Sequence, residues 1–204
     1  MTAKNNRQMV ILASRSPRRR ELLKQVGIDC IVLPADIDES VRQGELPIQY
    51  VKRLAKEKAL ATAANMKKEY SHLIVLSADT TVSVGDEILG KPEHDQDALR
   101  MLTLLSGKQH AVHTAVAAFY GDKVHVVLNT TKVSMARLTA ETINTYIASG
   151  EHRDKAGSYG IQGKAAAWIE SIEGSYSGVM GLPLFETVQL INKVAAASLK
   201  TIKN

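Results

Sequence analysis

A polar turn lies between an apolar segment and a helix. It carries the first side chains along this sequence that suit the binding of an anion. The turn, Ser14–Arg20, reads SRSPRRR and follows the predicted strand Met9–Ala13. Ser16 and Pro17 suit the N-cap and first position of a helix that we expect to reach Val26. Arginine at that end opposes the helix dipole, so the turn favours an anion such as phosphate. A solvated helix start without a ligand is the alternative interpretation.

Two further charged residues lie where the local pattern favours apolar side chains. Lys58 falls within the apolar stripe of a helix predicted over Pro47–Lys68. Asp79 interrupts a buried strand predicted over Leu73–Val84. A buried charge is costly unless it has a partner, a ligand or a cation, so both residues are candidates for a functional cleft. The alternatives are a lysine that snorkels at the edge of the stripe and an aspartate satisfied within a bend.

An acidic loop, Pro34–Leu46, contains a candidate metal-binding group. Its segment Asp36–Glu39 places three carboxylates close together. Acidic loops are usually solvated, but these oxygens beside Asp79 would suit Mg²⁺ or Mn²⁺. His110 and His113 lie three residues apart on a predicted strand and point to opposite faces, which argues against a zinc site that they share.

Lysines beside two loops complete the set of candidate ligand groups. Lys91 precedes Pro92 at a predicted helix start. The loop Gly150–Gly163 carries Lys155 and Gln162 between glycines, which let a backbone approach a ligand closely. This loop differs from a nucleotide-binding P-loop in its spacing, and it lacks the Ser or Thr that would contact Mg²⁺. The chain also contains no GxGxxG or HExxH motif.

The elements that must position these groups alternate between strands and helices and then become richer in strands. Gly85-Asp86 and Gly121-Asp122 are typical of hairpin turns. We therefore expect an α/β protein with a mixed sheet, folded into two lobes over a cleft. The other predicted elements are the strands Cys30–Leu33, Ala111–Tyr120, Val124–Leu138 and Ala165–Ile172, a helix that follows Pro92 and reaches Leu105, a helix with its N-cap at Thr139 that reaches about Ser149, and the helix Pro183–Leu199.

Composition restricts the class of protein and of ligand. The 26 Lys and Arg residues exceed the 21 Asp and Glu residues among 204, and a net charge of +5 suits an anionic ligand. The charge is dispersed and only 4% of residues are aromatic, which argues against a nucleic-acid partner. Cys30, the only cysteine, excludes an internal disulfide and is expected to be a buried small residue. Without a long apolar run or an apolar leader, we expect a cytoplasmic protein with no membrane partner.

Taken together and in order, these motifs resemble the Maf family of nucleoside triphosphate pyrophosphatases. The resemblance extends over about residues 9–191 and favours the branch acting on dTTP and UTP over the branch acting on 7-methyl-GTP. The chain departs from the family at Arg15, where a small residue is common, and at Gly178, where Asn is common. The matching motifs are Ser14–Arg19, Glu57–Ala59, Ala78–Thr80, Gly90–Pro92, Asp154–Gly157, Tyr159–Gly163, Gly174–Tyr176 and Gly181–Leu184.

The resemblance implies a role for each candidate residue. Asp79 would be the proton acceptor and, with Glu39, a carboxylate of a site for Mg²⁺ or Mn²⁺. The implied reaction cleaves dTTP or UTP between the α- and β-phosphates to give the monophosphate and pyrophosphate. Phosphate handling would fall to Ser14, Arg19, Lys58, Lys91 and Lys155, and specificity to Arg18, Thr80 and Gln162.

The resemblance also implies the fold of the inosine triphosphate pyrophosphatases: a long twisted mixed sheet with flanking helices and two lobes around a central cleft. It implies a single catalytic domain over residues 1–204 and a homodimer. Three rival functions are a non-catalytic nucleotide-binding regulator of cell division, a nucleic-acid-binding module, and an enzyme that removes modified pyrimidine triphosphates. A regulator would not need Asp79 together with Glu39, which favours an enzyme.

Overall fold

The sheet is built from long apolar or alternating segments of the sequence. The computed structural model describes residues 8–201, with side chains as far as residue 197. Val10 and Leu12 are fully buried, as expected for a continuous apolar strand inside an α/β protein. The strands are β1 (Met9–Leu12), β2 (Asp29–Val32), β3 (Ile74–Val84), β4 (Glu87–Leu89), β5 (Gln109–Tyr120), β6 (Lys123–Met135) and β7 (Ile169–Glu173).

The helices begin largely where prolines and hydroxyl residues predict. Pro17 and Pro47 open the first two helices, where a missing backbone N–H costs nothing. Thr139 accepts a hydrogen bond from the backbone N–H three residues later, whereas Ser16 occupies an N-cap position without a side-chain capping bond. No helix within residues 8–201 is long and apolar enough to cross a membrane. The helices are α1 (Pro17–Gln25), α2 (Pro47–Asn65), α3 (Asp95–Leu105), α4 (Ala140–Ala148), α5 (Tyr176–Val179) and α6 (Leu184–Thr201).

The described residues form a seven-stranded mixed sheet, which confirms the predicted fold class. Its strand order is β2-β1-β3-β5-β6-β7, and β4 pairs with β3 outside this path. β1 runs parallel to β2 and β3, while β3, β5 and β6 pair antiparallel as a long central ribbon. Both predicted hairpins are present, between β3 and β4 and between β5 and β6.

Small side chains bring α2 close to the sheet. Ala55 and Ala59 of α2 pack against Ala115 and Ala117 of β5. The approach is close enough for the hydroxyl of Ser77 in β3 to donate a hydrogen bond to the backbone carbonyl of Ala55. Because no bulky side chain separates the layers here, a long polar side chain from α2 can reach the centre of β3.

The segment predicted as the strand Ala165–Ile172 is only partly extended. Lys164–Trp168 form a 3₁₀ helix, and β7 begins at Ile169. The three alanines in this segment lack the β-branched side chains that favour a strand. The chain therefore forms the short 3₁₀ helix after Gly163 instead of an extended strand. The short helix α5 was not predicted, because four residues are too few to show helical periodicity.

The expectation that Cys30 is buried was wrong, because its strand lies at the edge of the sheet. Cys30 belongs to β2, the last strand on that side, and is only partly buried. Its side chain packs against the edge of the largest core cluster. Burial among these neighbours raises the pKa of the thiol. The residue therefore behaves as a packing group at a sheet edge.

Candidate active site

A cleft of about 730 Å³ lies where β3 meets the turn after β1, the acidic loop and the loop before β7. Its walls come from segments that are far apart in the sequence. The cleft contains every residue that the sequence predicts for the site. These are Ser14, Arg18, Arg19, Glu39, Lys58, Asp79, Thr80, Lys91, Lys155 and Gln162.

A lysine that bridges two carboxylates lies at the centre of this cleft. Lys58 Nζ is 2.7 Å from Asp79 Oδ1 and 2.9 Å from Glu39 Oε1. Lys58 and Asp79 are only 9% and 6% exposed, whereas the side chain of Glu39 is 45% exposed. Lys58 therefore does not snorkel to solvent at the edge of its helix. Asp79 has the partner that a buried aspartate requires, and this partner also contacts the acidic loop.

The two carboxylates are electrostatically different. Burial raises the pKa of Asp79, although the charges of Lys58 and Arg19 oppose this rise. Burial acts in the same direction on Glu39, but Lys58, Lys91 and Arg19 outweigh it and lower the pKa of Glu39. Burial therefore favours the protonated form of Asp79, whereas the surrounding cations favour the ionised form of Glu39. A general base works best when its pKa lies closer to the operating pH.

Arg19 links three segments of the cleft wall: its own turn, β3 and the segment before α6. Its Nε donates to the carbonyl of Gly181 at 2.8 Å, Nη1 to Ser14 Oγ at 3.0 Å and Nη2 to Thr80 Oγ1 at 3.2 Å. Thr80 Oγ1 is also 2.9 Å from Thr114 Oγ1 on the neighbouring strand. Ser14 and Thr80 thus contact Arg19 rather than pointing unpaired into the cleft. Arg19 keeps part of its guanidinium for a ligand, and its burial lowers its pKa.

The other cations lie on the rim of the cleft. Arg18 is half-buried and Lys91 is exposed. Lys155 Nζ donates to the backbone carbonyl of Glu151, and burial together with Arg18 lowers the pKa of Lys155. Gln162 is exposed within the same loop as Lys155. The cleft therefore presents positive charge on several sides of the buried Asp79, an arrangement that suits a polyanionic ligand.

Residues 9–194 match the family model described as Maf-like protein. The chain belongs to the Maf family. A protein of Methylobacillus flagellatus named dTTP/UTP pyrophosphatase is 52% identical over 192 residues, which cover 94% of this chain and 96% of that protein. One of the same name from Pseudoalteromonas atlantica is 48% identical over 189 residues, covering 93% and 98%. The solved structure of the Staphylococcus aureus Ham1 protein matches at 14% identity and a TM-score of 0.42, over 63% of this chain and 72% of that one. A likeness at that level adds nothing to the fold described above.

In this Maf protein, α2 holds the acidic loop in place from the side of the cleft. The hydroxyl of Tyr50 donates to the carbonyl of Glu39 at 2.9 Å, and Arg53 Nη2 donates to the carbonyl of Ser40 at 2.9 Å. Burial and the nearby carboxylates raise the pKa of Tyr50 to about 12, so it remains a donor at neutral pH. Sequence reasoning missed Tyr50. The signal was its position on the same helical stripe as Lys58, eight residues earlier.

The donor set of the Maf cleft fits a divalent cation that arrives with a phosphate. Glu39 and Asp79 supply carboxylate oxygens, and both already surround one positive charge, the ammonium of Lys58. Within residues 8–201, no group of three or more His, Cys, Asp or Glu residues could hold a metal. Mg²⁺ is commonly bound through one or two carboxylates together with substrate phosphates. Two carboxylates beside a cationic cleft are consistent with that kind of site.

Proposed function

We propose that this Maf protein is a nucleoside triphosphate pyrophosphatase that hydrolyses dTTP and UTP to the monophosphate and pyrophosphate. The observation that carries the proposal is the buried Asp79, whose raised pKa suits a base and which faces a cleft lined by cations. Relatives at about half identity over nearly the whole chain bear the name of this activity. A regulator that only binds nucleotide would have no use for a buried base.

Cations around the cleft would bind the triphosphate. Arginine can contact phosphate through two parallel hydrogen bonds, and lysine acts as a point charge. Lys58 lies deepest, beside Asp79, and would stabilise charge that develops at the reacting phosphate. The remaining negative charge of the triphosphate would be neutralised by Arg18, Arg19, Lys91 and Lys155. Ser14 would act through Arg19, to which its hydroxyl is bonded.

Asp79 would remove a proton from the water that attacks the α-phosphorus. The bond between the α-phosphorus and the bridging oxygen to the β-phosphate then breaks, and pyrophosphate leaves with that oxygen. Lys58 contacts Oδ1 of Asp79, so we assign the proton to Oδ2. A Mg²⁺ or Mn²⁺ ion held by Glu39 and Asp79 would, when bound, withdraw charge from the phosphate.

Gln162 would read the base. Its amide offers both a donor and an acceptor, which the edge of uracil or thymine requires. Arg18 and Thr80 occupy the other specificity positions that the family resemblance implies. Because the hydroxyl of Thr80 is bonded to Arg19 and Thr114, we expect Thr80 to act mainly by placing Arg19. The single domain, the homodimer and the cytoplasmic location stay predictions from the sequence.

A panel of triphosphates tests the proposed function. The protein is incubated with dTTP, UTP, CTP, ATP and GTP in the presence of Mg²⁺ or Mn²⁺, and pyrophosphate and orthophosphate are measured separately. We expect pyrophosphate in equal amounts with dTMP or UMP, and much slower turnover of the purine triphosphates. Orthophosphate as the first product would contradict the proposal, and binding without turnover would support the regulator instead. Modified pyrimidine triphosphates in the same panel test the third alternative.

A further inference from the structure

Glu151 contacts both ends of the loop that carries Lys155 and Gln162. Its Oε1 accepts a hydrogen bond from the backbone N–H of Lys164 at 2.9 Å. Its own backbone carbonyl accepts a hydrogen bond from Lys155 Nζ. Glu151 lies half-buried in the wall of the cleft. One residue therefore closes the loop into a ring and holds the lysine within it.

The glycines of this loop show how closely these side chains lie against the backbone. A Cβ added at Gly163 would overlap Oε1 of Glu151. A Cβ added at Gly160 would lie 2.8 Å from Cε of Lys155, which is too close for two carbon atoms. A side chain at either glycine would displace the Lys155 or Glu151 side chain that covers it. The carboxylate of Glu151 lies directly against the residue that follows Gln162.

The loop that carries Lys155 and Gln162 has a strained backbone, so contacts with other residues must hold it in place. Asp154 and Ser158 adopt left-handed backbone angles, with φ of 57° and 64°, which cost free energy for residues other than glycine. Nε2 of the buried His152 bonds to Asp95 Oδ1 at 3.0 Å and fixes the first part of the loop to α3. The hydrogen bond that the backbone N–H of Lys164 donates to the Glu151 carboxylate fixes the last part of the loop, next to Gln162.

The side chain of Gln162 depends on this backbone for its position. Gln162 is exposed, and within the described part of the chain its side chain makes no hydrogen bond. A base-reading amide needs its orientation fixed, because a displacement of about 1 Å can reduce a rate by up to about 100-fold. The carboxylate of Glu151 fixes the neighbouring turn through its hydrogen bond with the backbone N–H of Lys164.

We propose that Glu151 is a positioning residue for base selection: it holds the turn that presents Gln162 to the base. The inference rests on the proposed function, because it assumes that Gln162 reads a pyrimidine. It assigns to Glu151 a role in selectivity that requires no contact with the substrate. The hydrogen bond to the backbone of Lys164, rather than the negative charge, carries the role.

Four variants separate this hydrogen bond from other effects. Glu151→Ala removes the acceptor, and Lys164→Pro removes the donor N–H. Lys164 is the first residue of a 3₁₀ helix and follows the extended Gly163, so proline suits the position. Glu151→Gln keeps a carbonyl acceptor without the charge, and Lys164→Ala keeps the N–H without the side chain. The measured quantity is the ratio of kcat/KM for UTP to that for GTP.

We expect Glu151→Ala and Lys164→Pro each to lower this ratio at least about tenfold, a loss typical of a displaced specificity contact. We expect Glu151→Gln and Lys164→Ala to stay within about twofold of the wild type, and the double variant Glu151→Ala/Lys164→Pro to lose no more than either single variant. Gln162→Ala, measured in parallel, gives the UTP-to-GTP ratio of kcat/KM that is expected when the contact between Gln162 and the base is lost completely.

An unchanged ratio in Lys164→Pro or in a folded Glu151→Ala would overturn the inference, even if the melting temperature fell. Equal losses in Glu151→Gln and Glu151→Ala would also overturn it, because charge rather than the hydrogen bond would then matter. These outcomes differ from failure of the proposed function. In that case the wild type itself would release no pyrophosphate from UTP.

Discussion

Asp79→Asn is expected to lower kcat for pyrophosphate release from UTP about 100- to 10,000-fold, the range typical for loss of a general base. Asparagine has nearly the same shape but cannot accept the proton of the attacking water. Stopped or quenched assays of UMP and pyrophosphate measure the effect. Asp86→Asn is the matched control, because Asp86 is exposed on the turn at the end of the same strand. Near-normal turnover by Asp79→Asn would exclude Asp79 as the base.

The same substitution should leave the fold intact. Asp79 binds its proton more tightly in the folded chain than in an unfolded one, because burial raises its pKa. Ionised Asp79 therefore works against folding at neutral pH, and a neutral asparagine removes that cost. Lys58 keeps Glu39 as a partner in the variant. We expect a melting temperature within about 4 °C of the wild type, which corresponds to about 1 kcal/mol for a chain of this size. The wild-type rate should fall in acid as Asp79 becomes protonated and can no longer accept the proton of the attacking water.

Lys58→Met is expected to lower kcat/KM for UTP about 100- to 1,000-fold, the range found when one preorganised group that stabilises transition-state charge is removed. Methionine keeps the apolar stem within α2 but deletes the ammonium that bridges Asp79 and Glu39. The charge of Lys58 lowers the pKa of Asp79 in the wild type. Its removal should therefore shift the acid limb of the pH–rate profile to higher pH. Steady-state kinetics across pH measure both effects.

Lys56→Met is the matched control, because Lys56 lies two residues away on the same helix and is exposed. We expect its kinetics and pH profile to match those of the wild type. A Lys58→Met variant with a lower melting temperature but an unchanged kcat/KM and an unmoved acid limb would give Lys58 a purely structural role. Such a result would also remove the electrostatic argument for the reactivity of Asp79.

Two charged residues of the cleft, Lys58 and Asp79, could be predicted because each interrupts a local apolar pattern. Lys58 falls in an apolar helical stripe and Asp79 in an apolar strand, and both patterns are short-range. The pattern shows which face of a helix is buried, but it does not show which strand that face packs against. The contact between Lys58 and Asp79 depends on how closely α2 lies against the sheet, which the alanines of α2 and β5 determine. That packing involves residues about 60 positions apart.

Contacts across the chain could not be predicted from local sequence. Arg19 donates to the carbonyl of Gly181, which lies 162 residues later, and no periodicity connects the two. The ring closed by Glu151 was missed for a different reason. Its acceptor is a side chain, but its donor is a backbone N–H, which every residue except proline possesses. The sequence therefore shows which residues are unusual, while the structure shows which backbone groups hold them.

Hydrolysis of UTP in ¹⁸O-labelled water shows which phosphorus atom the water attacks. Attack by water on the α-phosphorus transfers the label to UMP and leaves pyrophosphate unlabelled, and this is the result we predict from the placement of Asp79 and the cleft cations. Mass spectrometry of the two products locates the isotope. Label in pyrophosphate would place the attack on the β-phosphorus, and label in orthophosphate would place it on the γ-phosphorus. Either result would contradict the proposed reaction.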